Sequence, residues 1–373
     1  MSSRPTHVTA GPYAPPTPVR ELTVVSADGA RLHAEVHGPK DAPPVVLAHG
    51  WSCSTAFWAA QIRDLAVDHR VIAYDQRGHG RSPANPVCSP RALADDLEAV
   101  LDQTLAPGER AVLAGHSMGA MTMLAAAARP RFREHTAAVL LCSTGSSRLV
   151  AEARIVPLRA GRARTWITAR ILGVRAPLGP VTPVARRILK YATMGAGSAP
   201  YMVDACARIV HACPPGARYA WSQVLARLDL DDGVRELTVP TAVIAGTADR
   251  LTPPVHARAV VAALPHCVGL TELPGLGHMT PVEAPELVTG RIRDLVTTYL
   301  DDPAHPTDDT KSVKDAKGTK GAKGAKDGEG RADMANTADV ADVAGVADTG
   351  RAGTPGTGTG AVDGADVHAK EGA

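Results

Sequence analysis

Short apolar runs recur along the middle of the chain, at Val45–Ala48, Val71–Tyr74, Ala111–Ala114, Val139–Leu141, Val243–Ala245 and Val268–Leu273. Each is bounded by Gly, Asp, Ser or Pro, as a strand buried in a parallel sheet should be. Helical patterns lie between them, for example over Pro90–Leu105 and Gly119–Ala128. Alternation of this kind predicts an α/β fold, with a mostly parallel twisted sheet flanked by helices on both faces. After Thr144 the alternation stops. From about Ser146 to Arg235 the pattern is helical and rich in Arg and Pro, and sheet-type signals resume at Val239. The expected core is therefore residues 21–145 and 236–300, interrupted by a helical insertion over 146–235.

The two ends differ from this pattern. Residues 1–20 are rich in Pro, Ser and Thr without periodicity and read as a flexible arm. From 301 to 373 lysines recur every third position between Lys311 and Lys326, followed by acidic residues set among Ala and Val. Such a segment lacks the apolar area to offset its ordering entropy, so a disordered, charged, low-complexity tail is expected. It is expected to make at most weak electrostatic contacts, because the acidic block offsets the lysines.

Composition narrows the function classes. The chain has 373 residues, 45% of them hydrophobic, which is ample for a sizeable core. Aromatic residues are only 3%, so that core must be built from Leu, Val, Ile and Ala. A net charge of +2 gives no reason to expect nucleic acid as a partner of the core. The first residues reach no apolar signal segment, and no run is long enough to span a membrane, so a cytoplasmic location is expected. Six scattered cysteines read as thiols packed as small hydrophobes. Cys206 and Cys213 flank His211, but their spacing matches no usual zinc motif, so no metal and no cofactor is expected.

The strongest motif is Gly115-His116-Ser117-Met118-Gly119, directly after the run Ala111–Ala114 and before a helix of small residues. This is G-x-S-x-G in a strand-turn-helix context. The turn forces the serine into a strained conformation and exposes its hydroxyl above the sheet. The flanking glycines are needed because a Cβ there would collide with strand and helix.

A serine needs a base to be a nucleophile. Of the fourteen histidines, His278 sits in a Gly/Pro loop just after the last strand signal. His116 should point away into the fold, and His49 should brace the loop beside it. An acid must then hold the imidazole in one tautomer. Asp249 follows the run Thr241–Ala245 and suits that role, whereas Asp231 and Asp232 precede the strand. Two backbone donors are needed for a developing oxyanion. Met118, next to the serine, and Trp51, in the loop His49-Gly50-Trp51, are the candidates.

With these residues in place, residues 21–300 resemble the α/β-hydrolase superfamily, in its serine esterase, lipase and perhydrolase branch. Arg70–Ser82 is similar to that family's strand-4 signature, in which Asp75 and Arg77 are structural, and Leu93–Leu97 to the helix before the nucleophile strand. The resemblance implies Ser117 as nucleophile, Asp249 as acid, His278 as base, and Trp51 and Met118 as oxyanion amides. It also implies that the insertion is a cap that shapes substrate choice. Relatives that cleave carbon–halogen bonds or epoxides carry Asp at the nucleophile position, and Ser117 argues against both.

The expected activity is hydrolysis of an ester, thioester or lactone of a small-molecule acyl substrate through an acyl-enzyme on Ser117. The same triad also suits carbon–carbon bond hydrolysis, acyl transfer or cofactor-free peracid chemistry, and a ligand-binding protein of this fold is a third possibility. Between Arg148 and Lys190 stand ten basic residues and one acid, Glu152. Arginines on solvated helix faces would explain this, and so would a cationic cleft mouth for anionic substrates or surfaces.

Overall fold

A computed structural model of the chain describes residues 11 and 13–301. Eight strands form a single sheet: β1 (Arg20–Val25), β2 (Arg31–His37), β3 (Pro44–Ala48), β4 (Arg70–Tyr74), β5 (Ala111–His116), β6 (Thr136–Cys142), β7 (Thr241–Gly246) and β8 (Cys267–Leu273). Their order is β1-β2-β4-β3-β5-β6-β7-β8. β2 pairs antiparallel with both β1 and β4, and every other pair is parallel. The fold is thus the α/β-hydrolase type, a mostly parallel sheet flanked by helices.

The continuous apolar runs are explained by burial on both faces. In β3, Val46 and Ala48 belong to one core layer and Val45 and Leu47 to the other; in β5, Leu113 and Val112 divide in the same way. Helix α1 (Ala59–Leu65) precedes β4, and α2 (Pro90–Thr104), α3 (Met118–Ala126) and α4 (Pro130–His135) lie between β4 and β6. Leu97 of α2 and Leu124 of α3 fill the first layer, and Ile62 of α1 fills the second. Helix α2 starts where it does because the Ser89 hydroxyl accepts from the Ala92 amide and Pro90 opens the first turn.

Between β6 and β7 lie six helices: α5 (Leu149–Glu152), α6 (Arg162–Leu172), α7 (Pro183–Thr193), α8 (Pro200–Ala212), α9 (Pro215–Leu225) and α10 (Asp231–Glu236). A single antiparallel bridge joins Ser147 to Asp229, so the two ends of this segment meet. The chain then runs through α11 (Pro254–Ala263), between β7 and β8, to α12 (Thr280–Glu283) and α13 (Pro285–Val296). Ile292 and Leu295 of α13 complete the second core layer.

Two features differ from the sequence reading. β1 and β2 precede the first run recognised there. The arm expected over 1–20 is tied down within its described part: Tyr13 is buried, its hydroxyl donates to the Val282 carbonyl at 2.7 Å, and Arg20 already belongs to β1. Residues 1–10 and 12 of that arm, and all but Asp301 of the expected tail at 301–373, lie outside the described residues. Among the described residues no helix is long and apolar enough to cross a membrane.

Candidate active site

β5 ends at His116 and α3 begins at Met118, leaving Ser117 alone at the turn. Its backbone has φ 52° and ψ −115°, a conformation that costs a non-glycine residue about 1–3 kcal/mol. The surroundings hold it there. The Ser117 amide donates to the Cys142 carbonyl at 2.9 Å, and the Ser117 carbonyl accepts from the Thr144 hydroxyl at 3.0 Å. Both flanking glycines are obligatory: a Cβ on Gly119 would strike the Ala48 carbonyl, and one on Gly115 would lie 2.5 Å from the Ala120 nitrogen.

His278 and Asp249 meet beside this turn. Asp249 stands in the loop after β7 and His278 in the loop after β8. Their Nδ1···Oδ2 separation is 2.8 Å, and both are buried. The other carboxylate oxygen, Oδ1, accepts from the amides of Leu251 and Thr252 at 2.8 and 2.9 Å. Asp249 therefore both caps its own turn and holds the imidazole. With Nδ1 turned to Asp249, Nε2 is the ring nitrogen left for chemistry. Ser117 and His278 line the same cavity, of about 370 Å³.

Trp51 also lines that cavity, and Met118 is the first residue of α3. The loop carrying Trp51 lies against the elbow, since a Cβ on Gly50 would stand 3.2 Å from the Ser117 Cβ. The amide of Met118 opens a helix and has no acceptor within it. Behind the loop, two neutral histidines support the backbone. His49 donates through Nδ1 to the Gly50 carbonyl at 2.8 Å and accepts at Nε2 from the Gln76 amide at 3.0 Å. His79 donates to the Arg77 carbonyl at 3.2 Å and accepts from the Ser52 amide at 3.1 Å. A ring that donates at one nitrogen and accepts at the other must be uncharged. Burial agrees, pushing His49 down to about 3 and His79 to about 4.

Asp75 and Arg77 are buried supports. Asp75 accepts from the amides of Thr55 and Arg81, both at 2.8 Å, and Arg77 is clamped by Asp96 and Asp28. Asp231 is occupied by the hydroxyls of Ser146 and Ser147. His211 donates to the Gly179 carbonyl at 2.9 Å. Among the described residues, the one trio of acidic or histidine groups close enough to share an ion is Glu21, His33 and Glu35, and Arg81 already forms a two-pronged ion pair with Glu21.

Three contributors escaped the sequence reading. The Thr252 hydroxyl lies 2.8 Å from Asp249 Oδ2, 3.1 Å from His278 Nδ1 and 3.0 Å from the Ser143 carbonyl. Glu283 accepts from the amides of Gly277 and Met279, on either side of His278, and from the Gly195 amide at 2.7 Å. His116 does not simply point away: its Nε2 donates to the His278 carbonyl at 2.9 Å, its ring stacks on Phe57 and it borders the cavity. Burial holds its pKa well below the usual value. A threonine three residues after Asp249 and a glutamate five after His278 were the only signals available.

The cavity wall is mostly aliphatic, drawn largely from the insertion: Leu149, Ile155, Leu172, Leu189 and Leu225, with Met121 from α3. None of the ten basic residues between Arg148 and Lys190 lines it. Of the two readings of this run, arginines on solvated helix faces fit the cavity lining better than a cationic cleft, because those side chains are exposed or pack elsewhere. Arg218, on α9, does line it, and its Nη2 donates to the carbonyls of Val174 and Ala176. Trp51 Nε1 donates to the Arg218 carbonyl at 3.0 Å, tying the loop after β3 to α9.

Comparison with known proteins agrees with this architecture. A profile described as "Alpha/beta hydrolase family" matches residues 45–291. A protein of Variovorax paradoxus named "Putative carbamate hydrolase RutD" is 34% identical over 231 residues, covering 60% of this chain and 80% of that protein. The non-heme chloroperoxidase of Streptomyces lividans is 28% identical over 280 residues, covering 71% of this chain and 96% of its own. Among solved structures, a thermophilic esterase from Thermogutta terrifontis superposes with a TM-score of 0.61 at 26% identity, over 75% of this chain and 99% of that one.

Proposed function

Because the chain belongs to the alpha/beta hydrolase family, we propose that it is a serine hydrolase that cleaves an ester, thioester or lactone through an acyl-enzyme on Ser117. One observation carries the reading: His278, held by Asp249 at 2.8 Å, borders the same cavity as a serine held at φ 52°. A complete base–acid pair beside a strained serine matches the roles of a catalytic triad, which is recognised by geometry rather than by chain position.

In this mechanism Ser117 Oγ attacks the acyl carbonyl carbon while its proton passes to His278 Nε2. Asp249 stabilises the imidazolium. The carbonyl electron pair moves onto oxygen, where the amides of Trp51 and Met118 hold it. Collapse of this intermediate breaks the bond to the leaving group, which takes the proton from His278. Water then attacks the acyl-enzyme, again giving its proton to His278, and the acid departs as Ser117 regains its hydrogen. The mostly aliphatic cavity wall suits an uncharged, apolar substrate moiety, since Arg218, the one arginine or lysine among its lining residues, is already bonded to the Val174 and Ala176 carbonyls. The segment over 146–235 serves as the cap in this reading.

The test is Ser117→Ala assayed on a short p-nitrophenyl ester. The variant keeps the wild-type circular dichroism spectrum and loses at least about a thousandfold in kcat/KM. Full activity in the folded variant would refute the assignment.

A further inference from the structure

The insertion carries an outer surface that the chemistry of the cavity does not explain. Ile171, Val174, Leu178 and Ile188 line the cavity and yet are 40–63% exposed. The cavity therefore opens through an apolar rim rather than a polar one. Val184, one turn from Ile188 on α7, extends that rim at 66% exposure, and Trp166 on α6 is also exposed, at 62%. On α7, Val184, Ile188 and Tyr191 recur at four- and three-residue steps along one exposed face, a spacing that stacks them on one side of a helix. Apolar surface left in water around a cavity mouth in this way marks a contact site.

The insertion that carries this rim is also cationic. Of the ten basic residues between Arg148 and Lys190, Arg148 pairs with Glu152 and Arg186 with Asp204. Arg164 is buried against the Ala151 carbonyl and Lys190 bonds the Ser198 carbonyl. The other six, Arg154, Arg159, Arg162, Arg170, Arg175 and Arg187, are exposed, and among the described residues none has a carboxylate within ion-pair distance. Charge and apolar surface are interleaved. Arg162, Trp166 and Arg170 lie four residues apart on one side of α6, and the Arg170 guanidinium sits 5.3 Å from the Trp166 ring centre.

We propose that this face of the insertion docks on an anionic lipid surface, and that apolar ester enters the cavity directly from that surface. The second half rests on the hydrolase reading above; the docking itself does not. Charge selects the occupant. A second copy of this chain seated on the same face would set six unpaired arginines against six others. An anionic bilayer accepts both elements at once, the apolar side chains at the level of the headgroups and the arginines against lipid phosphates. Long arginine side chains suit such a place because their stems lie along apolar surface while the heads reach outward. The position of the cavity mouth gives the contact a purpose: a poorly water-soluble ester would pass from lipid to the aliphatic wall without crossing water.

Flotation of the full-length chain with vesicles tests this. Wild type should float with phosphatidylcholine vesicles containing phosphatidylglycerol and not with phosphatidylcholine alone. Binding should vanish at about 1 M salt, where the Debye length is about 3 Å. Arg170→Glu/Arg187→Glu and, separately, Trp166→Ser/Val184→Ser should each lower partitioning about tenfold or more. None of these four side chains lines the cavity, so hydrolysis of a soluble p-nitrophenyl ester without vesicles should stay within about twofold of wild type. Ser117→Ala should bind vesicles fully while hydrolysing nothing, which separates failure of the docking from failure of the hydrolase reading. The proposal is overturned if wild type ignores anionic vesicles. It is equally overturned if both double variants bind as wild type does, which would assign binding to basic residues elsewhere in the chain. A dimer that Trp166→Ser/Val184→Ser dissociates would show that a second copy covers the face instead.

Discussion

A serine hydroxyl is a weak nucleophile at neutral pH, so the reactivity proposed for Ser117 would depend on the groups that hold and polarise it. Thr252 is the most testable of these. Its hydroxyl touches both Asp249 and His278: its proton can go to the Asp249 carboxylate while its oxygen faces the Nδ1–H of His278. Thr252→Val keeps the shape and removes those contacts, each worth about 0.5–1.5 kcal/mol, so kcat should fall about tenfold with KM little changed. An unchanged kcat would deny it a positioning role. His49 and His79 make a different prediction, about stability. Both are held below the ordinary value of 6.5, at about 3 and about 4. Between those values and 6.5 the unfolded chain binds more protons than the folded one. Their contribution is complete above pH 6.5 and is lost as pH falls toward 4, so urea midpoints should decline through that window and flatten above it. A midpoint independent of pH across that range would contradict the neutral assignment. At this scale Ser117, Asp249 and His278 were readable because each sits in Gly-rich or Pro-rich turn sequence at the end of an apolar run. Thr252, Glu283 and the His116–His278 contact were not, because they exist only once loops far apart in the chain are packed together; His116 bonds a carbonyl 162 positions away.

The elements that position the site follow from packing rather than from local preference. The central strands announce themselves because both faces are buried, which forces unbroken apolar sequence. β1 and β2 do not. In β1 only Val24 is fully buried, and both strands pair antiparallel at one edge of the sheet, where half-polar sequence is tolerated. The elbow is the tightest junction between elements, with Gly119 of α3 pressed on the end of β3. Gly119→Ala would force a methyl group into the Ala48 carbonyl. It should cost about 1–3 kcal/mol, seen as a lower urea midpoint at unchanged slope. Wild-type stability in that variant would mean the junction is looser than described. The helical character of 146–235 was legible from its pattern, but the direction in which its arginines face was not. A run of basic residues looks the same in sequence whether it lines a cleft or covers a solvated face.

For the molecule as a whole, the two proposals assign chemistry to the aliphatic cavity and docking to the arginine-rich outside of the insertion. If the apolar wall sets specificity, a neutral hexanoate ester should be hydrolysed with a kcat/KM about tenfold or more above that of a carboxylate-bearing ester of similar length, because the carboxylate would lose hydration against a mostly aliphatic wall whose one arginine, Arg218, already bonds two carbonyls. A preference for the charged ester that is abolished by salt would instead restore the cationic cleft. The central claim, that Ser117 is the nucleophile, is tested most directly by treating the full-length protein with a fluorophosphonate and locating the adduct by peptide mass spectrometry. The account predicts one covalent adduct, on Ser117, that is absent from folded Ser117→Ala. Stoichiometric labelling of another residue, or no labelling of an active preparation, would contradict it.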